Sequence, residues 1–409
     1  MRAEIIATGT ELLVGGTLDT NSLFLSEELL PIGIETMFKT VVGDVEKNIE
    51  EALHRAMGRA NVIIVTGGIG PTEDDITRKV IAKIVKRRLV LNEDALNAIQ
   101  AKLAGREYAA TNDRQALLPA GARLLPNPVG IAPGFFLDED GLFIAVLPGV
   151  PREMEAMFTE GLRPALEERF GGKLFIRRRT LRTCGISESA VDQAIRDILK
   201  REAPVTGLAA RETGVDIRIV ATESGMERVL SLLDRTESAI RKKLGDFIYG
   251  MDSQELEEVV GALLSQRRLR LAVAESCTGG LISARITSIA GSSGYFEQGA
   301  VVYANQAKTG ALGVPAETIE RYGAVSRETA AAMAQGIRQT AKTDLGLAVT
   351  GIAGPGGGSE NKPVGLVYTA LATAQGVKTD EHRFLGSRTQ VRLKASQMAL
   401  DMVRRHLIA

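Results

Sequence analysis

Short apolar runs that lead into glycine-rich turns, each followed by a helical pattern, most constrain what this chain can fold into. The run Leu269 to Val273 leads into Ala274-Glu-Ser-Cys-Thr-Gly-Gly280, and the segment Asn61 to Thr66 leads into Gly67-Gly-Ile-Gly-Pro71. A short apolar run of the second kind is typical of a strand buried in a parallel sheet. The repeated order of strand, glycine loop and helix therefore predicts an α/β fold.

Length, charge and cysteine content limit the class of protein. At 409 residues the chain is too long for one ordinary core, so we expect two or three domains. Fifty basic residues balance fifty acidic ones, so no overall charge points to nucleic acid or an anionic membrane. The N-terminus, interrupted by Glu4 and Glu11, lacks a signal-peptide pattern, and no run of about 18 apolar residues predicts a membrane span. Cys184 and Cys277 have neither metal-ligand nor disulfide spacing. We therefore expect a cytoplasmic enzyme or binding protein.

Three segments of the chain differ in character. Residues 1–170 alternate strands and helices, residues 171–251 follow the β-α-β-β-α order of a small two-layer α+β domain, and residues 252–409 return to α/β alternation. The changes near 171–172 and 249–252 are the predicted domain boundaries, across which few contacts should pass.

Two helix starts in the first segment carry acidic residues. Asp44 is predicted to cap a helix that runs to Arg59, and a second helix is predicted from about Glu73 to Lys86. Asp74 and Asp75 would then lie in the first turn of that second helix, where acidic side chains ordinarily complement the helix dipole.

Ser276, Cys277 and Thr278 are three nucleophile-capable residues at the predicted turn between strand and helix. Free backbone N–H groups at such a turn, here near Thr278, Gly279 and Gly280, can hold an anion or a developing oxyanion. None of the three histidines is close in sequence to Ser276, so a serine–histidine triad lacks a convincing candidate.

Lys308 is the better candidate for a general base. If Asn305 caps the next helix, Lys308 is its third residue, where the helix dipole and partial burial disfavour the ammonium form. A neutral lysine can activate a serine. Tyr303, five residues earlier, can converge on Lys308 only if it is still on the preceding strand.

Plainer interpretations remain open at this point. A serine before Gly-Gly is often a helix cap or part of a phosphate cradle, and a lysine in a first helical turn is usually solvated. Cys277 is most simply a small buried residue, although a helix N-terminus can also activate a thiolate. A second glycine-rich loop, Thr350 to Gly358, follows the apolar run Leu345 to Val349 and could hold a phosphate or a ribose.

The last segment contains five motifs, Ala274–Gly280, Gly291–Phe296, Tyr303–Lys308, Gly323–Ser326 and Thr350–Pro355. Together they resemble the C-terminal domain of the CinA family, the nicotinamide mononucleotide amidohydrolases, over nearly all of 253–409. The resemblance implies hydrolysis of the carboxamide of nicotinamide mononucleotide to nicotinate mononucleotide and ammonia without a cofactor. It implies Ser276 as nucleophile, Lys308 as base and Tyr303 as an assisting residue, with substrate binding by Thr278, Gly279, Gly280, Thr350, Gly351 and Gly354.

The first segment has a glycine loop of its own. Its glycines allow close approach to a phosphate, and Asp74 with Asp75 could bind a divalent cation that bridges it. The loop is neither a Walker A motif nor a dinucleotide-binding fingerprint, and as a generic pattern it is weak. Together with Gly9–Gly15, Asp19–Ser22 and Leu147–Pro151, it resembles the molybdopterin-binding fold of the MoaB and MogA families. The resemblance implies functional aspartates at Asp44 and Asp75 and substrate contacts at Gly9, Thr10, Asn21, Gly67, Gly68 and Gly70.

The resemblance of the whole chain to full-length CinA proteins implies an N-terminal ADP-ribose pyrophosphatase. That activity gives AMP and ribose 5-phosphate and uses a divalent metal of the magnesium or cobalt type, held by Asp75 and Asp74, together with potassium. Asp74 stands where molybdopterin-adenylylating relatives have arginine, which favours metal-assisted cleavage over a molybdopterin-type nucleotidyl transferase, the first alternative. The middle segment resembles a KH-like domain without the Gly-x-x-Gly loop, so direct nucleic-acid binding is not expected. We expect a homodimer; a non-catalytic regulator of DNA uptake or repair is the second alternative.

Overall fold

The computed structural model of the chain describes residues 1–104, 109–139, 141–172 and 174–409. It divides into two compact units, one of Met1–Arg177 with Ala221–Ser231 and the other of Arg178–Val220 with Leu232–Ala409. Among the described residues, no helix combines the length and the apolar character needed to cross a membrane.

The N-terminal part is a mixed sheet between helices. Its strands are β1 (Arg2–Thr8), β2 (Glu35–Val42), β3 (Val62–Thr66), β4 (Leu89–Leu91), β5 (Leu117–Pro119), β6 (Arg123–Leu125), β7 (Gly134–Glu139) and β8 (Leu142–Leu147). Its helices are α1 (Thr10–Val14), α2 (Asn21–Leu29), α3 (Glu46–Met57), α4 (Thr77–Ile84), α5 (Glu93–Leu103), α6 (Pro151–Met157) and α7 (Arg163–Phe170). Shorter helical segments are the 3₁₀ turns Leu30–Ile32 and Ala110–Ala116 and the π turn Phe158–Leu162 between α6 and α7.

The order of strands in this sheet is β2-β1-β3-β8-β7-β6, and β4 pairs separately with β5. β1 is parallel to β2 and β3, and β3 is parallel to β8, so the carboxyl ends of these strands meet at one edge. Alternate residues of β1 point to opposite faces: Ile5 packs with Leu25 of α2, whereas Ile6 packs with Leu53 of α3 and Val80 of α4. Helices thus cover both faces, as the predicted α/β fold requires.

The middle part has the predicted β-α-β-β-α order followed by one more strand. Its elements are β9 (Phe175–Thr183), α8 (Glu188–Leu199), β10 (Val205–Arg211), β11 (Gly214–Glu223), α9 (Met226–Leu244) and β12 (Ile248–Met251). The strand order is β10-β11-β9-β12. Ser187 caps α8, since its side chain accepts the N–H of Ala190.

The C-terminal part is a second α/β layer structure. Its strands are β13 (Leu271–Glu275), β14 (Phe296–Val301), β15 (Leu345–Gly351), β16 (Leu366–Thr373) and β17 (Gly376–Arg383). Its helices are α10 (Leu256–Arg267), α11 (Leu281–Thr287), α12 (Asn305–Leu312), α13 (Ala316–Tyr322), α14 (Arg327–Ala341) and α15 (Arg388–Ile408). The order is β14-β13-β15-β16-β17, in which β13 is parallel to β14 and β15, and β16 and β17 continue antiparallel.

Contacts cross the predicted boundary near residues 249–252. Cys184 and Tyr249 of the middle part belong to the same hydrophobic cluster as Leu256 of α10 and Val403 of α15. On the same helix, Arg404 donates to the backbone carbonyl of Asp246. The prediction that few contacts pass this junction is therefore wrong, because the two parts share a core.

A fragment that begins at Asp252 should therefore be less stable than one that begins at Arg178. Removal of Cys184 and Tyr249 uncovers apolar surface, and two lost side chains of this kind lower the melting temperature by on the order of 10 °C. Thermal unfolding of both purified fragments measures the difference. Equal melting temperatures would show that the shared core contributes nothing to the stability of residues 252–409.

Candidate functional site

Backbone hydrogen bonds join the three parallel strand ends of the C-terminal part. The N–H of Ser276 donates to the carbonyl of Val349 at 3.0 Å, and the N–H of Val302 donates to the carbonyl of Glu275 at 2.8 Å. The turn after β13, the segment after β14 and the end of β15 are thereby held side by side. Loops at the carboxyl edge of a parallel sheet are the usual place for a site in this class of fold.

Ser276 opens a tight turn between β13 and α11. Its carbonyl accepts the N–H of Gly279 at 3.1 Å, and the carbonyl of Thr278 accepts the N–H of Leu281 at 3.3 Å. Gly279 and Gly280 have φ angles of 59° and 92°. That left-handed conformation strains most other residues, so two glycines are needed to turn the chain into α11.

Of the N–H groups near Thr278 to Gly280 that the sequence offered as oxyanion donors, those of Gly279 and Gly280 are already bonded. The N–H of Gly279 closes the turn, and the N–H of Gly280 donates to the carboxylate of Glu275 at 3.0 Å. The same carboxylate, fully buried, accepts the N–H groups of Ile282 and Ser283 and the hydroxyl of Ser283. Glu275 was not singled out from the sequence, because an acidic residue at the end of a strand gives no sign that it folds forward onto the next helix.

Two N–H groups of the turn remain unbonded. The backbone N–H groups of Cys277 and Thr278 have no backbone acceptor among the described residues, so they are the available oxyanion donors. The buried hydroxyl of Thr278 also has no hydrogen-bond partner in the described part of the chain. The carbonyl of Thr278 faces Arg392 of α15, which donates to it at 2.7 Å and 3.1 Å.

Lys308 is buried against the segment that follows β14, in which the N–H of Val302 bonds to Glu275 just before the turn. α12 begins at Asn305 with Ala304 as its cap, so Asn305 is not the predicted N-cap and Lys308 is the fourth helical residue. Its side chain is 1% exposed, and Nζ donates to the carbonyls of Val302 and Tyr303 at 2.9 Å and 3.0 Å. Burial lowers the pKa of Lys308 below the ordinary lysine value, which favours the neutral amine.

Tyr303 contacts Lys308 through its backbone carbonyl, and its phenol points elsewhere. β14 ends at Val301, two residues before Tyr303, whose side chain is 58% exposed. Only its backbone carbonyl meets Lys308, while its hydroxyl accepts a hydrogen bond from Arg388 Nη2 at 2.9 Å. The phenol is therefore oriented by α15 and faces the outer side of the site.

Cys277 faces the hydrophobic core. It is 5% exposed and belongs to the cluster that fills the space between β13 and α15. Burial raises the pKa of its thiol to about 12. A thiol that stays protonated at neutral pH is a poor nucleophile, so the structure favours the plain interpretation of this residue.

The loop after β15 contributes differently from what its sequence predicts. The hydroxyl of Thr350 is buried and donates to the carbonyl of Ala324 at 2.7 Å, and Gly351 lies within the strand against Val367. The carbonyl of Gly354 accepts a hydrogen bond from Arg388 Nη1 at 2.9 Å. Thr350 and Gly351 thus shape the backbone, and the Gly354 part of the loop faces the exposed guanidinium.

Arg388 and Arg392 are functional candidates that the sequence analysis missed. They are four residues apart at the start of α15, so they share one helical face, and Ser387 caps this helix. One arginine holds Tyr303 and Gly354 and the other holds Thr278. Two arginines four residues apart after a helix cap are the sequence pattern that could have indicated this site. Only the fold shows which loops the two side chains reach.

The N-terminal part has a cleft of about 820 Å³ at the carboxyl edge of its sheet. Most of the predicted residues line it, namely Gly9, Asp44, Gly67, Gly68, Gly70, Asp74 and Asp75. It also has two carboxylates that the sequence analysis did not select, Glu11 and Glu153. No lysine or arginine is among the described lining residues. The cleft is therefore acidic and has no side chain of its own that could neutralise a phosphate.

Asp44 does not cap α3, contrary to the prediction. The helix begins at Glu46 with Val45 as its cap and without a side-chain hydrogen bond. The carboxylate of Asp44 instead accepts the N–H and the hydroxyl of Thr10 at 2.9 Å and 3.0 Å. Asp44 thus joins the loops after β1 and β2, and Thr10 acts as its partner.

Asp74 and Asp75 precede α4, which begins only at Thr77, so the predicted helix start at Glu73 is wrong. The Oδ2 atom of Asp75 accepts the N–H and the hydroxyl of Thr72 at 2.8 Å and 2.6 Å. A Cβ atom at Gly70 would lie 2.6 Å from the same oxygen, so glycine is needed there for Asp75 to approach the loop. The two aspartates therefore belong to the loop that lines the cleft.

Asn21 lies outside the main cleft. It lines a smaller adjoining pocket of about 90 Å³ and donates to the hydroxyl of Thr66 at 2.9 Å and the carbonyl of Gly149 at 2.8 Å. Its Oδ1 atom is buried without a partner among the described residues. Asn21 joins the end of β3 to the loop after β8, which gives it a role in shaping the cleft.

The donor atoms around the cleft suit a hard divalent cation that is shared with a ligand. Within the described residues, no group of three or more acidic, histidine or cysteine side chains stands close enough to hold a metal ion by itself. Magnesium commonly uses one or two carboxylates together with phosphate oxygens of the substrate. Asp75 and Asp74 on the glycine loop are the residues that would hold it in that manner.

Comparison with known proteins matches each part of the chain. Three family models match: the probable molybdopterin binding domain over residues 4–168, the damage-inducible protein CinA KH domain over 178–250 and the CinA C-terminal domain over 253–407. Putative competence-damage inducible proteins of Moorella thermoacetica and Caldicellulosiruptor bescii are 46% and 44% identical over 411 residues, covering 100% of this chain and 99% and 100% of theirs. A solved structure, competence/damage inducible protein CihA from Agrobacterium tumefaciens, is 44% identical, with coverage of 38% of this chain and 94% of that chain and a TM-score of 0.37.

Proposed function

Because this chain belongs to the CinA family of competence-damage inducible proteins, we propose that it is a hydrolase with two activities on pyridine nucleotide fragments. The C-terminal site hydrolyses the carboxamide of nicotinamide mononucleotide and releases ammonia. The N-terminal cleft cleaves the pyrophosphate of ADP-ribose to AMP and ribose 5-phosphate.

The observation that carries the amidase proposal is the hydrogen bonding of Lys308. Its buried amine donates to two carbonyls, those of Val302 and Tyr303. A neutral amine has two N–H groups and one lone pair. With both N–H groups donated, the lone pair is left to accept a proton, which is what a general base needs.

The reaction at this site follows from those groups. Ser276 Oγ attacks the carboxamide carbon and gives its proton to Lys308, and the N–H groups of Cys277 and Thr278 stabilise the oxyanion. Lys308 then protonates the departing nitrogen, so that ammonia leaves and an acyl-serine remains. Water, deprotonated by Lys308, attacks the ester carbon, and Lys308 returns that proton to Ser276 Oγ as nicotinate mononucleotide leaves.

Arg388 supports a nucleotide as the substrate. Its guanidinium is exposed beside the phenol of Tyr303 and the glycine loop at Gly354. An arginine on such a rim suits the ribose phosphate, because guanidinium groups bind phosphate through paired N–H donors. The carboxamide end would then face Ser276, at the inner end of the site.

Unpaired N–H groups of the glycine loop support the N-terminal proposal. Those of Gly68, Ile69 and Gly70 have no acceptor among the described residues, and all three residues line the acidic cleft. Successive N–H groups of this kind bind phosphate oxygens. A divalent ion held by Asp75 and Asp74 would neutralise the pyrophosphate, and potassium dependence is part of the same proposal.

Two alternative functions predict different results in assays with these two substrates. A nucleotidyl transferase in the N-terminal half would adenylylate molybdopterin and would leave ADP-ribose intact. A non-catalytic regulator of DNA uptake or repair would release no ammonia from nicotinamide mononucleotide. The acidic lining of the cleft favours a metal-dependent pyrophosphatase over the first alternative.

Ammonia release from nicotinamide mononucleotide tests the amidase directly, with Cys277→Ala as the diagnostic variant. We expect this variant to keep activity within about threefold of the wild type, because its thiol is buried and protonated. A chelator should leave the rate unchanged. An inactive Cys277→Ala protein beside an active Ser276→Ala protein would instead identify a thiol amidase.

A further inference from the structure

Arg78 is a buried cation beneath the glycine loop of the N-terminal cleft. It is the second residue of α4 and 5% exposed, and its guanidinium donates to the carbonyls of Ile69 and Gly70. We propose that Arg78 is a positioning residue that turns the peptide groups of this loop so that their N–H groups face a pyrophosphate. The inference rests on the function proposed for the cleft and adds the group that orients it.

Peptide geometry connects the guanidinium to the ligand. The C=O and N–H bonds of a trans peptide point in opposite directions. Because Arg78 draws the carbonyl of Ile69 inward, the N–H of Gly70 in the same peptide plane points the other way. The N–H of Thr77 donates to the carbonyl of Gly68 at 3.1 Å. This hydrogen bond orients that peptide group, so the N–H of Ile69 points away from α4 in the same manner. The next residue is Pro71, which has no N–H, so the Gly70 carbonyl only anchors the loop.

Burial of the Arg78 guanidinium has a desolvation cost, which indicates that the charge has a role at the cleft. The hydrogen-bond partners of Arg78 are the carbonyls of Ile69 and Gly70, and Arg78 forms no ion pair among the described residues. Burial lowers the pKa of Arg78 to about 10, and the charge of Asp75 partly opposes that shift. An apolar side chain of similar size would avoid this desolvation. A positive charge below the loop also offsets the carboxylates that line the cleft.

Elsewhere in this chain, lysine side chains hold pairs of backbone carbonyls as Arg78 does. Lys102, Lys308 and Lys362 each donate to two backbone carbonyls of a neighbouring segment. Arg78→Lys can therefore keep the loop carbonyls turned inward, whereas Arg78→Met fills the space and donates nothing. Arg78→Gln has an amide N–H₂ group for one of the two carbonyls.

Calorimetric titration of inorganic pyrophosphate, in the presence of magnesium, into the full-length protein tests the proposal. We expect Arg78→Met to raise the dissociation constant about tenfold or more, Arg78→Gln to lie between, and Arg78→Lys to stay within about threefold of the wild type. The matched control is Arg59→Met, which breaks an ion pair with buried Glu4 away from the cleft. That control should lower the melting temperature and leave pyrophosphate affinity unchanged.

Circular dichroism and thermal unfolding of each purified variant measure the amount of folded protein in each sample. Wild-type affinity retained in Arg78→Met, or equal losses in Arg78→Met and Arg59→Met, would overturn the proposal. No binding by the wild type would overturn it as well. Binding by the wild type that is lost in Arg78→Met supports the inference even if ADP-ribose is not cleaved, so its outcome is separate from that of the proposed activity.

Discussion

Replacing Lys308 with methionine should lower turnover of nicotinamide mononucleotide by about 10⁴-fold or more, and Ser276→Ala should do the same. The two residues act as one unit, since without the base the hydroxyl keeps its proton and without the hydroxyl the base has no proton to accept. The double variant should therefore be little worse than either single variant. Steady-state ammonia release from the three purified proteins measures this.

The pH dependence of the wild type adds a second test. Only the neutral amine is a base, so turnover should rise with pH as Lys308 loses its proton. Burial lowers the pKa of Lys308, so this rise should be centred below 10.5, the ordinary lysine value. A rate that falls as the pH passes through this range would contradict the assignment.

Lys308→Arg is the matched control for packing and hydrogen bonding. A guanidinium keeps donors for the carbonyls of Val302 and Tyr303 but stays protonated at any accessible pH. The variant should fold, bind nicotinamide mononucleotide and remain inactive throughout the pH range. Substantial turnover in Lys308→Arg would show that the lysine only holds those two carbonyls and that another group takes the proton.

Features set by local sequence could be predicted for this chain. The strands that precede the two glycine loops and the membership of the CinA family both followed from short-range patterns. Apolar periodicity and capping depend on neighbours within one turn of helix or one strand, so the sequence alone contains the needed information.

Features that depend on distant partners could not be predicted. Asp44 fits the sequence pattern of a helix cap. Its carboxylate instead accepts hydrogen bonds from Thr10, 34 residues earlier, and so does not cap α3. Arg388 is 85 residues from Tyr303, and only the tertiary fold brings the start of α15 to the segment that follows β14. Glu275 reaches N–H groups up to eight residues ahead because the intervening glycines fold the turn back over it. In each case the tertiary fold decided which polar groups were free.

Asp75→Asn should lower ADP-ribose cleavage by about 10²- to 10³-fold. The substitution should leave the loop conformation unchanged, because an asparagine Oδ1 atom can still accept hydrogen bonds from the N–H and the hydroxyl of Thr72. What it removes is the charge that would hold a divalent cation against the pyrophosphate. Formation of AMP, followed with and without added magnesium or cobalt, measures the effect.

Glu73→Gln is the matched control for that substitution. Glu73 lies two residues earlier, pairs with Arg114 and does not line the main cleft, so its loss should change the rate little. A chelator should abolish cleavage by the wild type while ammonia release continues, because the two reactions depend on different residues. If Asp75→Asn and Glu73→Gln were equally active, or if cleavage persisted in the chelator, the carboxylate of Asp75 would have no part in the reaction. The unpaired N–H groups of the loop would then have to stabilise the pyrophosphate without a cation, against the negative charge of the remaining acidic side chains.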